Sequence, residues 1–274
     1  MIKTIADLNA ATPGEIERIR RRIDVLGTVY MQTKKDARRV ALTQVEYDKL
    51  IREAKPETCA KCHGQGEVIR HPRHVGSLHP SGAYKCRTRQ YYEMIAEEPY
   101  VEDIEPDLFY IFEIGNSVHR IFQGCLHRAL GDKFNDEVRV ELAEALVEGG
   151  AADGVIEGDE YRVVNEFKTM GSGYDKLTSP KKEHILQASI YAKALDVPFI
   201  SFLYFHKENS EMKEVVIPFD ERAYNTFLRE KVAPIEAALW SRIPPIADAT
   251  KGECGKCPIY NCQQKIGERN TFHR

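Results

Sequence analysis

The sequence predicts an α/β protein in which a mixed β-sheet is flanked by helices. Three observations predict it: a β-hairpin near the middle of the chain, helical segments on both sides of that hairpin, and two β-rich segments that follow. In the hairpin, Val155 and Ile156 end one apolar run, residues 157–160 supply turn chemistry, and residues 161–164 open a β-branched run. A chain of 274 residues with 42% hydrophobic content is large enough to bury a full core.

The helix before the hairpin is predicted over residues 107–130. Its apolar residues recur at helical spacing, and Gly131 is a plausible stop. The residues that set this spacing are Phe112, Val118, Ile121, Phe122 and Leu126.

After the hairpin, Ser179 and Pro180 are predicted to be the N-cap and first position of a helix that runs to Leu195. Strands are expected near residues 137–147, 199–206 and 211–219, and a last helix over residues 220–240. The chain divides into an N-terminal helical region (1–56), a Cys/His-rich loop (57–83) and a main domain (84–274).

Asp153, Glu166 and Lys168 lie on the predicted hairpin. Side chains alternate along a strand, so Glu166 and Lys168 share one face while Phe167 points to the other. Asp153 on the partner strand reaches the same face if the register allows. Two carboxylates suit Mg²⁺ or Mn²⁺, and a lysine beside them can stabilise a phosphate or orient the attacking water. The alternative interpretation of these three residues is a solvated strand edge.

Two helical pairs add to this pattern. Gly115 and His119 are four residues apart on the first helix, so the glycine is expected to leave room beside the imidazole. Gln187 and Tyr191 are one turn apart on the second helix, where an amide and a phenol can contact phosphates or hold the lysine.

The ordered set Gly115-x3-His119, Asp153, Glu166-x-Lys168 and Gln187-x3-Tyr191 resembles the RecB-like branch of the PD-(D/E)xK nucleases. The resemblance covers residues 84–262, and Ala152 stands where the family name has proline. It implies a restriction-endonuclease-like core. It also implies that His119, Asp153, Glu166 and the Phe167 carbonyl hold Mg²⁺ or Mn²⁺.

Seven cysteines, C-x2-C spacing and the lack of a recognisable signal sequence predict metal binding in a reducing compartment. Cys254, Cys257 and Cys262 offer three thiolates, and a fourth must come from elsewhere. Cys86 resembles the early cysteine of the iron–sulfur nucleases, which include the CRISPR-associated Cas-four exonucleases and the AddB nuclease domain. That resemblance implies a [4Fe-4S] cluster. Zn²⁺ stays the alternative, because four thiolates also form structural zinc sites.

A second metal site is predicted in the Cys/His-rich loop. Cys59, Cys62, His74 and His79 approach the spacing of two-cysteine, two-histidine zinc sites, with His71 as an alternative ligand. The competing interpretation is a flexible loop with free thiols.

Charge gives a mixed signal. The net charge is −3, but residues 18–39 hold eight Lys or Arg against two Asp, a local balance of +6 that indicates either a phosphate-binding track or a solvated helix face. No apolar stretch is long enough to cross a membrane. We therefore expect no membrane partner and a cytoplasmic location, in a prokaryotic or phage-infected cell.

These observations predict a Mg²⁺- or Mn²⁺-dependent DNA exonuclease. The iron–sulfur relatives imply single-stranded DNA ends as substrate, in recombination, repair, phage DNA processing or CRISPR adaptation, with a protein of recombination or CRISPR adaptation as partner. The alternatives are a structure-specific endonuclease, a non-catalytic DNA-binding or assembly subunit, and a zinc-scaffold interaction protein.

Overall fold

A single mixed sheet forms the centre of the computed structural model, which describes residues 1–39, 76–96, 106–249, 253, 254, 257 and 262. Its strands are adjacent in chain order, antiparallel except for the parallel pair β3–β4. The strands are β1 (Phe134–Arg139), β2 (Ala151–Glu157), β3 (Arg162–Met170), β4 (Phe199–His206) and β5 (Met212–Pro218). The predicted α/β class, the mixed sheet and the β2–β3 hairpin are confirmed.

Helices flank this sheet, as the sequence predicts. Those of the N-terminal region are α1 (Ile5–Ala10), α2 (Pro13–Arg20) and α3 (Val25–Arg39). Those that follow are α4 (Arg87–Ile95), α5 (Pro106–Leu130), α6 (Lys182–Ala194), α7 (Glu221–Phe227) and α8 (Ala233–Ser241). In the described ranges, no helix is both long enough and apolar enough to cross a membrane.

Helices α5 and α6 cover opposite faces of β3. On one face Phe122 of α5 packs edge-on against Phe167, with ring centroids 5.4 Å apart. On the other face Lys168 donates a hydrogen bond to Gln187 of α6. Because β3 and β4 are parallel, the chain needs a crossover between them, and α6 provides it.

Helix α5 confirms the predicted element but not its predicted buried stripe. Val118, Phe122 and Leu126 are buried, whereas Phe112 and Ile121 are 50% and 58% exposed. Gln123 and Cys125 are buried as well, so the stripe that faces the core lies within residues 118–126 and leaves Phe112 and Ile121 outside it.

Strand β1 differs from its prediction over residues 137–147. It begins three residues earlier, at Phe134, and ends at Arg139. The chain then closes a tight turn in which Leu142 pairs with Val147 and Leu146 is left-handed at φ 56°. Backbone hydrogen bonds inside this turn replace those of a longer strand.

Helix α6 begins two residues later than predicted, because Lys181 is extended and is itself the N-cap. Ser179 and Pro180 therefore lie outside the helix.

The predicted last helix is present but contains a π-helical turn at Leu228–Val232 between α7 and α8. Pro234 accounts for this turn, because proline has no N–H and its ring clashes with the carbonyl four residues earlier. That carbonyl, of Glu230, instead accepts a hydrogen bond of 3.1 Å from Nη1 of Arg87.

Candidate active site

The register of the β2–β3 hairpin places the two predicted carboxylates together. Gly154 pairs with Asn165, so the same register continued by one position places Asp153 opposite Glu166. The backbone N–H of Phe167 donates to Oδ2 of Asp153 over 2.6 Å, which fixes the carboxylate above the strand. The hairpin therefore brings Asp153, Glu166 and Lys168 into one site.

Glu166 is the most buried charge of the site, with only 1% of its surface exposed. Its Oε1 contacts Nζ of Lys168, and Oε2 receives no hydrogen bond from the described residues. Burial, together with the negative charge of Asp153, raises the pKa of Glu166, and the lysine only partly offsets this. One lysine therefore does not fully compensate the two neighbouring carboxylates.

His119 reaches the site from α5. Its Nδ1 lies 3.3 Å from Oδ1 of Asp153, and its ring packs edge-on against Phe167. Burial lowers the pKa of His119, but the hydrogen bond and charge of Asp153 outweigh this effect, so the net pKa is raised. The imidazole is held by Asp153 in this arrangement.

Gly115 lies one helical turn before His119 and faces β3. A Cβ atom added at Gly115 would meet Oγ1 of Thr169 at 3.6 Å, which is ordinary van der Waals contact. An alanine would therefore fit at this position.

Helix α6 supplies the other predicted side chains. Nζ of Lys168 donates to Oε1 of Gln187 over 3.2 Å, and Nε2 of Gln187 donates to the hydroxyl of Tyr191, also over 3.2 Å. Burial and the nearby charge of Glu166 raise the pKa of Tyr191, so its hydroxyl stays protonated at neutral pH. The amide therefore links the lysine to a neutral phenol.

The sequence analysis did not identify His184 and Tyr204. Tyr204 lies on β4 opposite Lys168, and its hydroxyl is 3.0 Å from Nδ1 of His184 on α6. His184 precedes Gln187 by three residues, so helical spacing alone would have placed it on the Gln187 face.

Glu137 and Gln123 were also missed. Glu137 has a left-handed φ of 46° within β1, and its Oε1 accepts a 2.8 Å hydrogen bond from Nε2 of Gln123. The same amide nitrogen donates to the carbonyl of Asp153 over 3.1 Å. No local sequence signal marks this pair, because it depends on a backbone distortion and on contacts between distant residues.

The donor set fits a hard divalent cation. Two carboxylates and an imidazole are suitable ligands, and Oε2 of the buried Glu166 has no hydrogen-bond donor among the described residues. Among the described residues, no three His, Cys, Asp or Glu side chains already converge as a metal-binding group. One physical reason is that His119 is turned onto Asp153.

The four cysteines predicted to share a metal line one cavity of about 190 Å³. Cys254 and Cys262 are buried, while Cys86 and Cys257 are partly exposed. Tyr84, Lys85 and Arg89 also line this cavity. Cys125 lies apart, buried in the core beside Thr33, with the sulfur 3.6 Å from the threonine Oγ1.

Of the residues predicted to bind zinc, Cys59, Cys62 and His74 lie outside the described residues, as does His71. His79 is described, and its Nδ1 lies 2.8 Å from Oγ of Ser81.

The arginines of the predicted phosphate track are paired with acids. Glu17 accepts hydrogen bonds from Arg20 and Arg21, and Glu160 contacts Arg18 and Arg22. These contacts favour the solvated helix face over a phosphate track for this part of the segment.

No family model matches the chain, and no curated protein matches it. Several solved structures are similar in fold. The protein SSO0001 matches with 18% identity and a TM-score of 0.44, over 71% of this chain and 89% of that one. An alkaline exonuclease from Laribacter hongkongensis matches with 13% identity and a TM-score of 0.42, over 61% of this chain and 94% of that one. The complex of that exonuclease with dAMP matches with 13% identity and a TM-score of 0.46, over 61% of this chain and 92% of that one.

Proposed function

We propose that the chain is a divalent-metal-dependent DNA nuclease that acts as an exonuclease on single-stranded ends. The observation that carries this proposal is Glu166, a buried carboxylate that faces Asp153, with Lys168 on Oε1 and no hydrogen bond to Oε2 from the described residues. Burying such a group costs folding free energy. A cation bound between the two carboxylates would offset that cost.

In this proposal, Asp153, Glu166, His119 and the carbonyl of Phe167 hold Mg²⁺ or Mn²⁺. The bound ion supplies a water molecule of lowered pKa and stabilises the charge that develops on the phosphate oxygens. For His119 to serve as a ligand, its ring must exchange the Asp153 contact for the metal.

Lys168 has the positioning role. Its ammonium group carries three donors, of which one contacts Glu166 and another is taken by Gln187. The third donor can orient the attacking water or a phosphate oxygen. Gln187 fixes the direction of the ammonium group, and Tyr191 fixes Gln187 in turn.

A [4Fe-4S] cluster at Cys86, Cys254, Cys257 and Cys262 would tie the start of α4 to the C-terminal segment. The shared cavity supports this part of the proposal, and four thiolates would equally hold Zn²⁺. Zinc at Cys59, Cys62, His74 and His79, and a partner protein of recombination or CRISPR adaptation, remain predictions from the sequence.

The test is cleavage of end-labelled single-stranded DNA, with Mn²⁺ or Mg²⁺, by protein purified without oxygen. We expect cleavage by the unsubstituted protein and a loss of at least about a hundredfold in Glu166→Ala and Lys168→Ala. Glu148→Gln is the matched control, because Glu148 is an exposed acid outside the site. Circular DNA distinguishes the two modes of cleavage, since an exonuclease leaves it intact and an endonuclease cuts it. Equal cleavage by Glu166→Ala would contradict the site assignment.

A further inference from the structure

The Tyr204–His184 pair determines which nitrogen of His184 carries a proton. The Tyr204 side chain is fully buried, so water cannot accept its hydroxyl proton. A buried hydroxyl proton needs an acceptor, because leaving it unpaired is costly. Nδ1 of His184, at 3.0 Å, is the acceptor that the described residues offer. Donation to Nδ1 leaves the proton of a neutral imidazole on Nε2.

The surroundings keep this ring neutral. Burial, followed by the positive charge of Lys168, lowers the pKa of His184 to about 4. Glu183 opposes this shift and Lys181 adds to it, both weakly. Burial also raises the pKa of Tyr204 to about 12, so the phenol keeps the proton that it donates.

The position of His184 connects it with the proposed active site. His184, Gln187 and Tyr191 follow one face of α6 at spacings of three and four residues. Exposure increases along this row, from the buried Tyr191 to the half-buried Gln187 and His184. The row therefore leads from Lys168 toward solvent, along a path that a strand leaving the site can follow.

We infer that His184 is a strand-binding residue, whose Nε2–H donates a hydrogen bond to a backbone phosphate next to the one that is cleaved. This inference rests on the proposed function and adds a further substrate contact to it. A neutral donor suits this place because it adds no second positive charge beside Lys168. Tyr204 is the positioning residue, since it acts only by fixing the tautomer of His184.

The tautomer is tested first, by ¹⁵N–¹H NMR of protein labelled at histidine, free of divalent metal and near neutral pH. We expect a protonated Nε2 and an unprotonated Nδ1 for His184. Tyr204→Phe should lose this preference and show exchange between the two tautomers. A proton on Nδ1 in the unsubstituted protein would overturn the inference, whatever the protein does to DNA.

Binding is tested in EDTA, by fluorescence anisotropy of a fluorescein-labelled thymidine oligonucleotide, so that cleavage plays no part. His184→Phe keeps an aromatic ring but loses the donor, and we expect binding on the order of tenfold weaker. His184→Gln places an amide N–H near the same point and should recover most of that loss. His127→Gln is the control, because His127 pairs with Asp136 away from α6.

Oligonucleotides with one methylphosphonate linkage identify the phosphate. The expected linkage is one whose substitution weakens binding to the unsubstituted protein but not to His184→Phe. If the unsubstituted protein neither binds nor cuts DNA, the inference and the proposed function both fail. If it cuts DNA and His184→Phe keeps the same KM and the same oligonucleotide affinity, the inference alone fails.

Discussion

Glu166 combines full burial with a single cationic neighbour, an arrangement that costs folding free energy. An apolar residue at this position would pack without that cost, so stability does not explain the carboxylate. The proposed metal ion would explain it, because a cation supplies positive charge that the protein leaves out. Glu137 adds a second cost in folding free energy, because its φ of 46° is strained. Gln123 connects Glu137 to the site, since its amide donates hydrogen bonds both to Glu137 and to the carbonyl of Asp153.

His184 leads to a pH prediction for the metal-free protein. Its pKa is lowered on folding from 6.5 to about 4, so the unfolded chain binds a proton first as the pH falls. The stability contributed by the neutral ring is therefore present above pH 6.5 and is lost between pH 6.5 and 4. Compared with His184→Gln, the unsubstituted protein should lose on the order of 1 kcal/mol more over this range, reduced by solvent screening.

Urea unfolding followed by circular dichroism at several pH values measures this difference. Curves that run parallel for the unsubstituted protein and His184→Gln would show that the ring is not held neutral by the fold.

Alanine substitution of two glycines on different elements is expected to change the stability of the protein in opposite directions. A Cβ atom at Gly154 in β2 would lie 2.3 Å from the ring of Phe134, which is itself buried and cannot move aside. Gly154→Ala should therefore destabilise the protein by roughly 1–3 kcal/mol. At Gly115 in α5, an added Cβ atom would meet nothing closer than 3.6 Å. Gly115→Ala should therefore stabilise the protein by roughly 0.5–1 kcal/mol, because alanine favours the helix.

Free energies of unfolding from urea titrations decide both cases. Loss of stability in Gly115→Ala would mean that the glycine is needed for packing. An unchanged Gly154→Ala would mean that Phe134 has room to shift.

Periodicity made the central elements predictable. Alternating residues along β3, the helical spacing of α5 and the apolar run of β4 are local signals, so the hairpin, the helix and the strand were found close to their observed bounds. The grouping of Asp153, Glu166 and Lys168 was predictable for the same reason. The start of α6 was misplaced by two residues, because Lys181 is extended and is itself the N-cap.

Contacts between distant residues also explain what was missed at the site. The alignment of His184 with Tyr204 requires the parallel crossover of β3, α6 and β4, which no single segment specifies. The position of Glu137 depends on its own left-handed backbone conformation. This conformation is uncommon outside glycine, and sequence patterns do not predict it.

The N-terminal helices and the sheet share one hydrophobic core. Ile5, Leu8 and Ile19 belong to the same buried cluster as Val163 of β3. Polar contacts reinforce this packing, because Glu214 of β5 accepts hydrogen bonds from the first backbone amides of α3. The helices are therefore expected to unfold together with the sheet.

Ile19→Ala tests this expectation. Ile19 is fully buried, so its truncation should lower the free energy of unfolding by about 2–5 kcal/mol and shift one cooperative transition as a unit. Far-ultraviolet circular dichroism during a urea titration measures the effect. Ile246→Ala is the matched control, since Ile246 is 83% exposed and its loss should leave the midpoint in place. Two separate transitions, with only the weaker one shifted by Ile19→Ala, would instead make residues 1–39 an independent folding unit.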